Sequence, residues 1–205
     1  MRTLETTVFK FDELSEDAKQ YALEKLWDLN VDYDWWEFLF DDAANIAELF
    51  GLDIRQTRKE RMDKSYFYKP TIYFSGFSSQ GDGACFEGRY SYQKGGLKAV
   101  MEYAPKDEEL HRIVRDLQNL QAKNFYKVTF RTYHRGFYHH ENCMYLDDYE
   151  GCEGYEDDFL EVMRDFARWI YKCLESEHDW LTSEESILET IHANEYEFTE
   201  DGDLA

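Results

Sequence analysis

Thr71-Ile72-Tyr73-Phe74-Ser75-Gly76-Phe77, Ser78-Ser79-Gln80-Gly81-Asp82-Gly83 and Ala84-Cys85-Phe86-Glu87-Gly88-Arg89-Tyr90-Ser91-Tyr92 follow one another without a break. The outer pieces are aromatic and suit pleated strands, and the small polar piece between them reads as a hairpin loop. An antiparallel strand pair near the middle of the chain therefore anchors the fold. Beyond it, residues 97–103 and 107–122 have helical spacing, the second with Leu110, Ile113, Val114, Leu117 and Leu120 on one side. Two further strands are predicted over 126–134 and 143–149, joined by His134-Arg135-Gly136-Phe137-Tyr138-His139-His140. Phe159, Val162, Met163, Phe166, Trp169, Ile170, Cys173 and Leu174 then mark a long amphipathic helix, the strongest such pattern in the chain. Thr182 or Ser183 caps a shorter helix through Ile191, and Tyr196-Glu197-Phe198-Thr199 reads as an edge strand before a polar tail.

On the N-terminal side, a short strand over 6–11 precedes a helix capped by Ser15, with Glu16 and Asp17 in its first turn where acids suit the dipole. A second helix runs over 34–50 and stops at Gly51, and the weak alternation of 52–57 adds a strand. The expectation is an α+β fold, a mainly antiparallel sheet with helices packed against it. One domain, 1–205, is expected, with acidic helical N- and C-terminal parts around a strand-rich middle, 52–149.

Composition bounds the function. Of 205 residues, 43% are hydrophobic and 18% aromatic, enough apolar surface for a core and against general disorder. With 44 acids against 23 bases, the net charge of −21 opposes direct DNA binding and adhesion to an anionic membrane over much of the surface. The charge is uneven: residues 1–50 carry 4 bases and 13 acids (−9), 51–146 carry 16 and 11 (+5), and 147–205 carry 3 and 20 (−17). No apolar stretch approaches the roughly 20 residues a membrane helix needs. Met1-Arg2-Thr3-Leu4-Glu5 lacks the apolar core of a signal peptide, so a cytoplasmic protein is expected. Cys85, Cys143, Cys152 and Cys173 are irregularly spaced with no CxxC pair, which predicts reduced thiols.

Four groups of residues could carry chemistry. The glycine-rich loop lacks the Lys and trailing Ser/Thr of a phosphate loop and precedes a strand rather than a helix, so it reads as a hairpin loop whose Ser78, Ser79, Gln80 and Asp82 form a presentable surface. His134, His139, His140 and Cys143 contain soft ligands, but adjacent His139 and His140 point to opposite faces of a strand, and no metal or other cofactor is expected. Cys85 or Cys143 could serve as nucleophile with a histidine base, yet no linear spacing positions them, and no catalytic residue is assigned. Carboxylates four apart on a helix stand about 6 Å from one another and can imitate a nucleic-acid backbone.

Asp157, Glu161 and Asp165 form such a row, thickened at its start by Glu150, Glu153, Glu156 and Asp158, but Arg164, Arg168 and Lys172 on the same helix neutralise it. The uncompensated acids are Asp28, Asp32, Asp34, Glu37, Asp41 and Asp42, with Glu175, Glu177, Asp179, Glu184 and Glu185, and these are the candidate partner-binding residues. Against them stand two basic groups, Lys127, Arg131 and Arg135 on one strand face and Arg55, Arg58, Lys59, Arg61 and Lys64 before the hairpin. Either group could hold RNA or a phosphate-bearing ligand, or pair with acids of the helices.

Asp34-Trp35-Trp36, the segment Tyr73 to Gly88, Ala193-Asn194-Glu195-Tyr196-Glu197-Phe198-Thr199-Glu200-Asp201-Gly202 and the opening Phe11-Asp12-Glu13-Leu14-Ser15 resemble a family of small acidic proteins carried by bacteriophages and other mobile elements. Its members are labelled antitoxins of toxin-antitoxin stability systems. The resemblance extends over nearly the whole chain; it implies a phage setting, brings no catalytic residue, and suggests a role in blocking a toxin or defence protein. Joined to the charge, it leads to an expected non-enzymatic inhibitor of a host defence factor, of the anti-CRISPR kind, binding a host or cognate protein with a basic surface in the bacterial cytoplasm. An antitoxin acting on a toxin through the sheet face and the 78–83 loop is one alternative. A hydrolase or nucleotide-modifying enzyme using that loop is another, and self-association as a homodimer stays open.

Overall fold

A computed structural model describes residues 7–151 and 154–205. Cys152, Glu153, Thr6 of the expected first strand and the opening Met1–Glu5 segment lie outside the described residues. In chain order the elements are β1 (Phe9–Lys10), α1 (Glu16–Lys25), α2 (Glu37–Leu49), β2 (Leu52–Ile54), β3 (Gln56–Glu60), β4 (Tyr66–Pro70), β5 (Ile72–Phe74), β6 (Ala84–Phe86) and β7 (Gly88–Ser91). There follow α3 (Gly96–Tyr103), α4 (Glu108–Lys123), β8 (Thr129–His134), β9 (Met144–Glu150), α5 (Glu156–Leu181), α6 (Glu184–Ala193) and β10 (Glu197–Phe198). Every strand pairing among them is antiparallel, and the fold is α+β as expected. The chain divides into two compact units, Met1–Trp35 with Glu175–Ala205, and Trp36–Leu174.

The smaller unit is built from both ends of the chain. Ser15 caps α1 by accepting from the Ala18 amide, and Ser183 caps α6 by accepting from Ser186, as their sequence contexts predict. Ala18 and Ala22 of α1 and Ile187 and Ile191 of α6 bury against Phe11, Leu14 and Phe198. β1 pairs with β10, Phe9 opposite Phe198. The strand predicted over 6–11 is shorter than expected, because Phe11–Glu13 turns into a single 3-10 turn that drives Phe11 into this core. The polar tail is ordered rather than loose. Gly202 (φ +91°) lies so close to α1 that a Cβ there would sit 2.3 Å from Ala18 O, and Ala205 N–H donates to Glu197 O. Inside the unit the buried Asn30 side chain donates to Leu181 O (3.2 Å) and Ser186 Oγ (3.0 Å) and accepts from Thr190 Oγ1 (2.8 Å).

The larger unit holds a four-stranded sheet in the order β2-β7-β8-β9. Leu52, Ile54, Tyr90, Phe130 and Met144 alternate onto its buried face. The apolar stripe of α5 packs there: Phe130 meets Phe159 at 5.6 Å between ring centroids, and Phe166 stands edge-on to Phe86 and Phe50. α4 is capped by Asp107, whose other carboxylate oxygen accepts from Trp169 Nε1 of α5 (2.7 Å). Gly51 ends α2 at φ +93°, where a Cβ would fall 2.0 Å from Ser91 O, so only glycine fits this stop.

Three stretches, 52–60, 66–74 and 84–91, each change partner at one residue. Arg55 N–H donates to Glu87 O (2.8 Å), Thr71 N–H to Arg55 O (2.7 Å) and Glu87 N–H to Thr71 O (3.0 Å), closing a ring of backbone hydrogen bonds. From this three-way junction β2 joins β7, β3 joins β4 and β5 joins β6. The β3–β4 hairpin is absent from the sequence reading, which placed a single strand over 52–57. Its strands are mostly solvent-facing, so no apolar alternation announces them.

Candidate partner-binding surfaces

The division into units sorts the charge sharply. Residues 1–35 and 175–205 hold 20 acids and 4 bases, a net of −16, while 36–174 hold 24 and 19, a net of −5. Eight of the candidate acids fall in the smaller unit. Asp28, Asp32 and Asp34 lie in the turns after α1, Glu175, Glu177 and Asp179 in the last turns of α5, and Glu184 and Glu185 in the first turn of α6. Of these eight, only Glu175 and Asp179 stand four apart on one helix, so the helical-row geometry applies to them and not to Asp28 and Asp32, which sit outside any helix. Asp28, Asp32, Asp179, Glu184 and Glu185 are exposed, Glu175 and Glu177 half-buried, and none of these seven has an ion-pair partner among the described residues.

Glu37, Asp41 and Asp42 belong to the larger unit and begin α2. Two of the three are engaged: Glu37 pairs with Lys69, and Asp42 accepts from the Tyr103 hydroxyl.

Glu161 and Asp165 of the α5 row are neutralised as expected, whereas Asp157 has no ion pair among the described residues. Arg168 bonds Glu161 (2.6 Å) and Asp165, Arg112 of α4 reaches Asp165 (3.0 Å), and Lys172 reaches Glu109 (2.8 Å). Arg168 holds Glu161 below its ordinary carboxyl range, and the bonds to Asp165 and Glu161 raise the Arg168 guanidinium despite its partial burial.

Of the basic residues, only Arg131 of the trio Lys127, Arg131 and Arg135 lies within a strand; the other two flank β8. Arg55 pairs with Glu87 and Arg131 with Asp148. Arg58 and Arg61 instead lie over the rings of Tyr66 (3.5 Å) and Phe67 (5.0 Å) on the β3–β4 hairpin. Between that hairpin and α2 is an open groove of about 630 Å³, lined by Trp36, Phe40, Lys59, Arg61, Lys69 and Tyr73 among others.

The 78–83 loop is knitted by its own acid. The Asp82 carboxylate accepts from the backbone N–H of Ser79 (2.7 Å) and Ser78 (3.0 Å), which lowers its pKa, in that order of effect. The Ser78 and Ser79 N–H groups are thus already used and not free for an external anion, while the Ser78, Ser79 and Gln80 residues stay exposed. His134 and His139 converge, but on an aromatic ring: both lie on Tyr73, at 4.7 and 5.2 Å between centroids. His140 turns away, its Nδ1 accepting from Asn142 N–H and facing Glu141. Burial, then His134, pushes the His139 pKa down, and His139 Nδ1 is buried without a hydrogen-bond partner. Cys85 is fully buried and its thiol is pushed up to about 12 by that burial, which keeps it protonated and poorly nucleophilic. Among the described residues no group of three or more His, Cys, Asp and Glu is arranged to hold a metal ion.

No helix among the described residues is long and apolar enough to cross a membrane. No curated protein and no solved structure gives a significant match to the chain. Residues 35–184 match the family described as Domain of unknown function (DUF8835), and with most of the chain inside that match the protein belongs to this family.

Proposed function

We propose that this protein is a non-enzymatic inhibitor that works by protein–protein binding, its acidic unit entering a basic groove that the partner otherwise offers to nucleic acid. The observation that carries the reading is the concentration of charge: −16 on the 66 residues 1–35 and 175–205, with seven candidate acids free of cationic partners. Unneutralised carboxylates held on a folded surface attract a cationic groove beyond contact range, to about 8 Å at physiological salt, and speed association. Acids already paired within the chain, such as Glu161 and Asp165, contribute little to such a field. In the phage setting suggested by the resemblance, the partner is a host defence factor such as a CRISPR effector or another nuclease.

The test is capture of partners on the full chain and on a variant carrying Glu175→Gln, Glu177→Gln, Asp179→Asn, Glu184→Gln and Glu185→Gln, followed by assay of the captured protein. The reading expects a nucleic-acid-binding protein that added DNA or RNA displaces, that the variant retains poorly, and whose nucleic-acid activity the unsubstituted chain inhibits. Equal retention by the variant refutes it. Loss of binding on replacing Ser78, Ser79 and Gln80 instead would favour an antitoxin-like partner docking on the exposed loop.

A further inference from the structure

The solvent-facing side of the β2-β7-β8-β9 sheet carries a charge pattern that packing alone does not call for. Cross-strand pairing sets Asp53 opposite Arg89, Arg89 opposite Arg131, and Arg131 opposite Asp147, all exposed, in one row across four strands. Two arginines therefore stand directly opposite each other on the central strand pair, a like-charge juxtaposition that by itself destabilises a sheet. Arg131 Nη1 reaches Asp148 (3.3 Å) and donates a long bond to the Tyr133 hydroxyl (3.5 Å), whereas Arg89 has no ion pair or hydrogen bond among the described residues.

Beside this row, the buried Glu87 carboxylate binds Arg55 Nη1 (2.6 Å) and accepts from the Tyr73 hydroxyl (3.3 Å), so its charge is already spent and does not neutralise the arginine pair. Tyr133 lies two residues along β8 from Arg131, stacked on Tyr145 at 5.5 Å and 21°. Asp53, Arg55, Glu87, Arg89, Arg131 and Tyr133 line an open groove of about 560 Å³, within the size range of small-ligand sites, roughly 300–1,000 Å³.

We propose that this groove binds a mononucleotide, its phosphate held between Arg89 and Arg131 and its base laid against Tyr133. Guanidinium forks match phosphate oxygens in a bidentate way, and a phosphate between two of them removes their mutual repulsion. Asp53 and Asp147 close the row at both ends, so there is room for one phosphate group and an electrostatic barrier to a continuous polynucleotide. The site lies wholly in the larger unit and does not depend on the acidic unit or on the function proposed above.

The test is calorimetric titration of the full chain with AMP, adenosine, inorganic phosphate and a single-stranded oligouridylate. AMP binds in a saturable way at millimolar concentration or below, adenosine fails to bind, and phosphate binds more weakly than AMP. Arg89→Ala, an exposed substitution with no internal bond to lose, weakens AMP by about 10- to 100-fold, the usual effect of removing a charged hydrogen-bonding group. Tyr133→Ala, which removes the ring and a long bond to Arg131, weakens AMP by a larger factor than phosphate, and Tyr133→Phe, which keeps the ring, retains AMP binding. Absence of saturable AMP binding, AMP affinity unaltered by Arg89→Ala, or an oligouridylate that binds more tightly than AMP would each overturn the proposal.

Discussion

Replacing Asn30 by alanine is expected to loosen the smaller unit selectively. Asn30 is 8% exposed and makes three hydrogen bonds that link the turn after α1 to the end of α5 and to α6. One of the three has a fallback, since the Thr190 hydroxyl also lies 3.1 Å from Ser186 O. The other two do not: Leu181 O, a carbonyl at a helix C-terminus, and Ser186 Oγ lose the amide donor. At about 1 kcal/mol for each net bond, with a further penalty for leaving buried groups unsatisfied, the cost is about 2–3 kcal/mol. Because roughly 1.4 kcal/mol is a factor of ten, amides of α6 should exchange about 30- to 140-fold faster with deuterium. Amides of α4, in the larger unit, serve as the internal reference and should not change. Asn30→Asp should be worse still, since it loses both donors and places another negative charge in a unit that carries −16. If α6 protection in Asn30→Ala falls by less than about threefold, the Asn30 network is not what holds these segments together.

Two further outcomes follow from the titrating groups. The Cys85 and Cys173 thiols, each raised to about 12 by burial, should resist iodoacetamide at neutral pH until the protein unfolds, as read by peptide mass spectrometry. Fast labelling of Cys85 in the native protein would revive the thiol-nucleophile alternative. For His139, the folded pKa lies below the ordinary 6.5, so the unfolded chain takes up its proton first. Its contribution is complete above that value and is lost as pH falls through 6.5 toward the folded pKa. Urea midpoints of the native protein should therefore drop relative to those of His139→Phe between about pH 7 and pH 5, and parallel curves would remove His139 from the pH response.

The helices were legible because their information is local. The apolar spacing of α4 and α5, the Ser15 and Ser183 caps and the Gly51 stop all act within one or two turns, and each stands where the sequence places it. The β5–β6 pair was legible for a related reason: its residues are half-buried or buried and flank a small polar loop. The β3–β4 hairpin was not, because Arg58, Lys59, Glu60, Tyr66 and Tyr68 all face solvent and leave no period of two to read. Its one local signal is the turn, where Asp63 accepts from Ser65 N–H (2.9 Å) and Lys64 takes φ 63°.

The candidate surfaces show the same limit. The acids could be counted from the chain, yet Asp34 and Glu37, three residues apart, belong to different units, and two of the acids chosen on α2 turn out to be engaged by Lys69 and Tyr103. Arg89 drew no attention in the sequence, since nothing near it in the chain marks it. Its meaning comes from Arg131, which strand register sets opposite it.

Sequence alone determined the α+β class, the helices with the Ser15 and Ser183 caps and the Gly51 stop, the charge surplus and the neutralisation of Glu161 and Asp165 on α5, since these depend on neighbours a few positions away. Tertiary structure decided which acids share a unit, how Arg55, Thr71 and Glu87 exchange strand partners, and which arginines meet across the sheet. Those outcomes rest on pairings between segments distant in the chain, and a shift of register by one residue would turn each of these side chains to the opposite face.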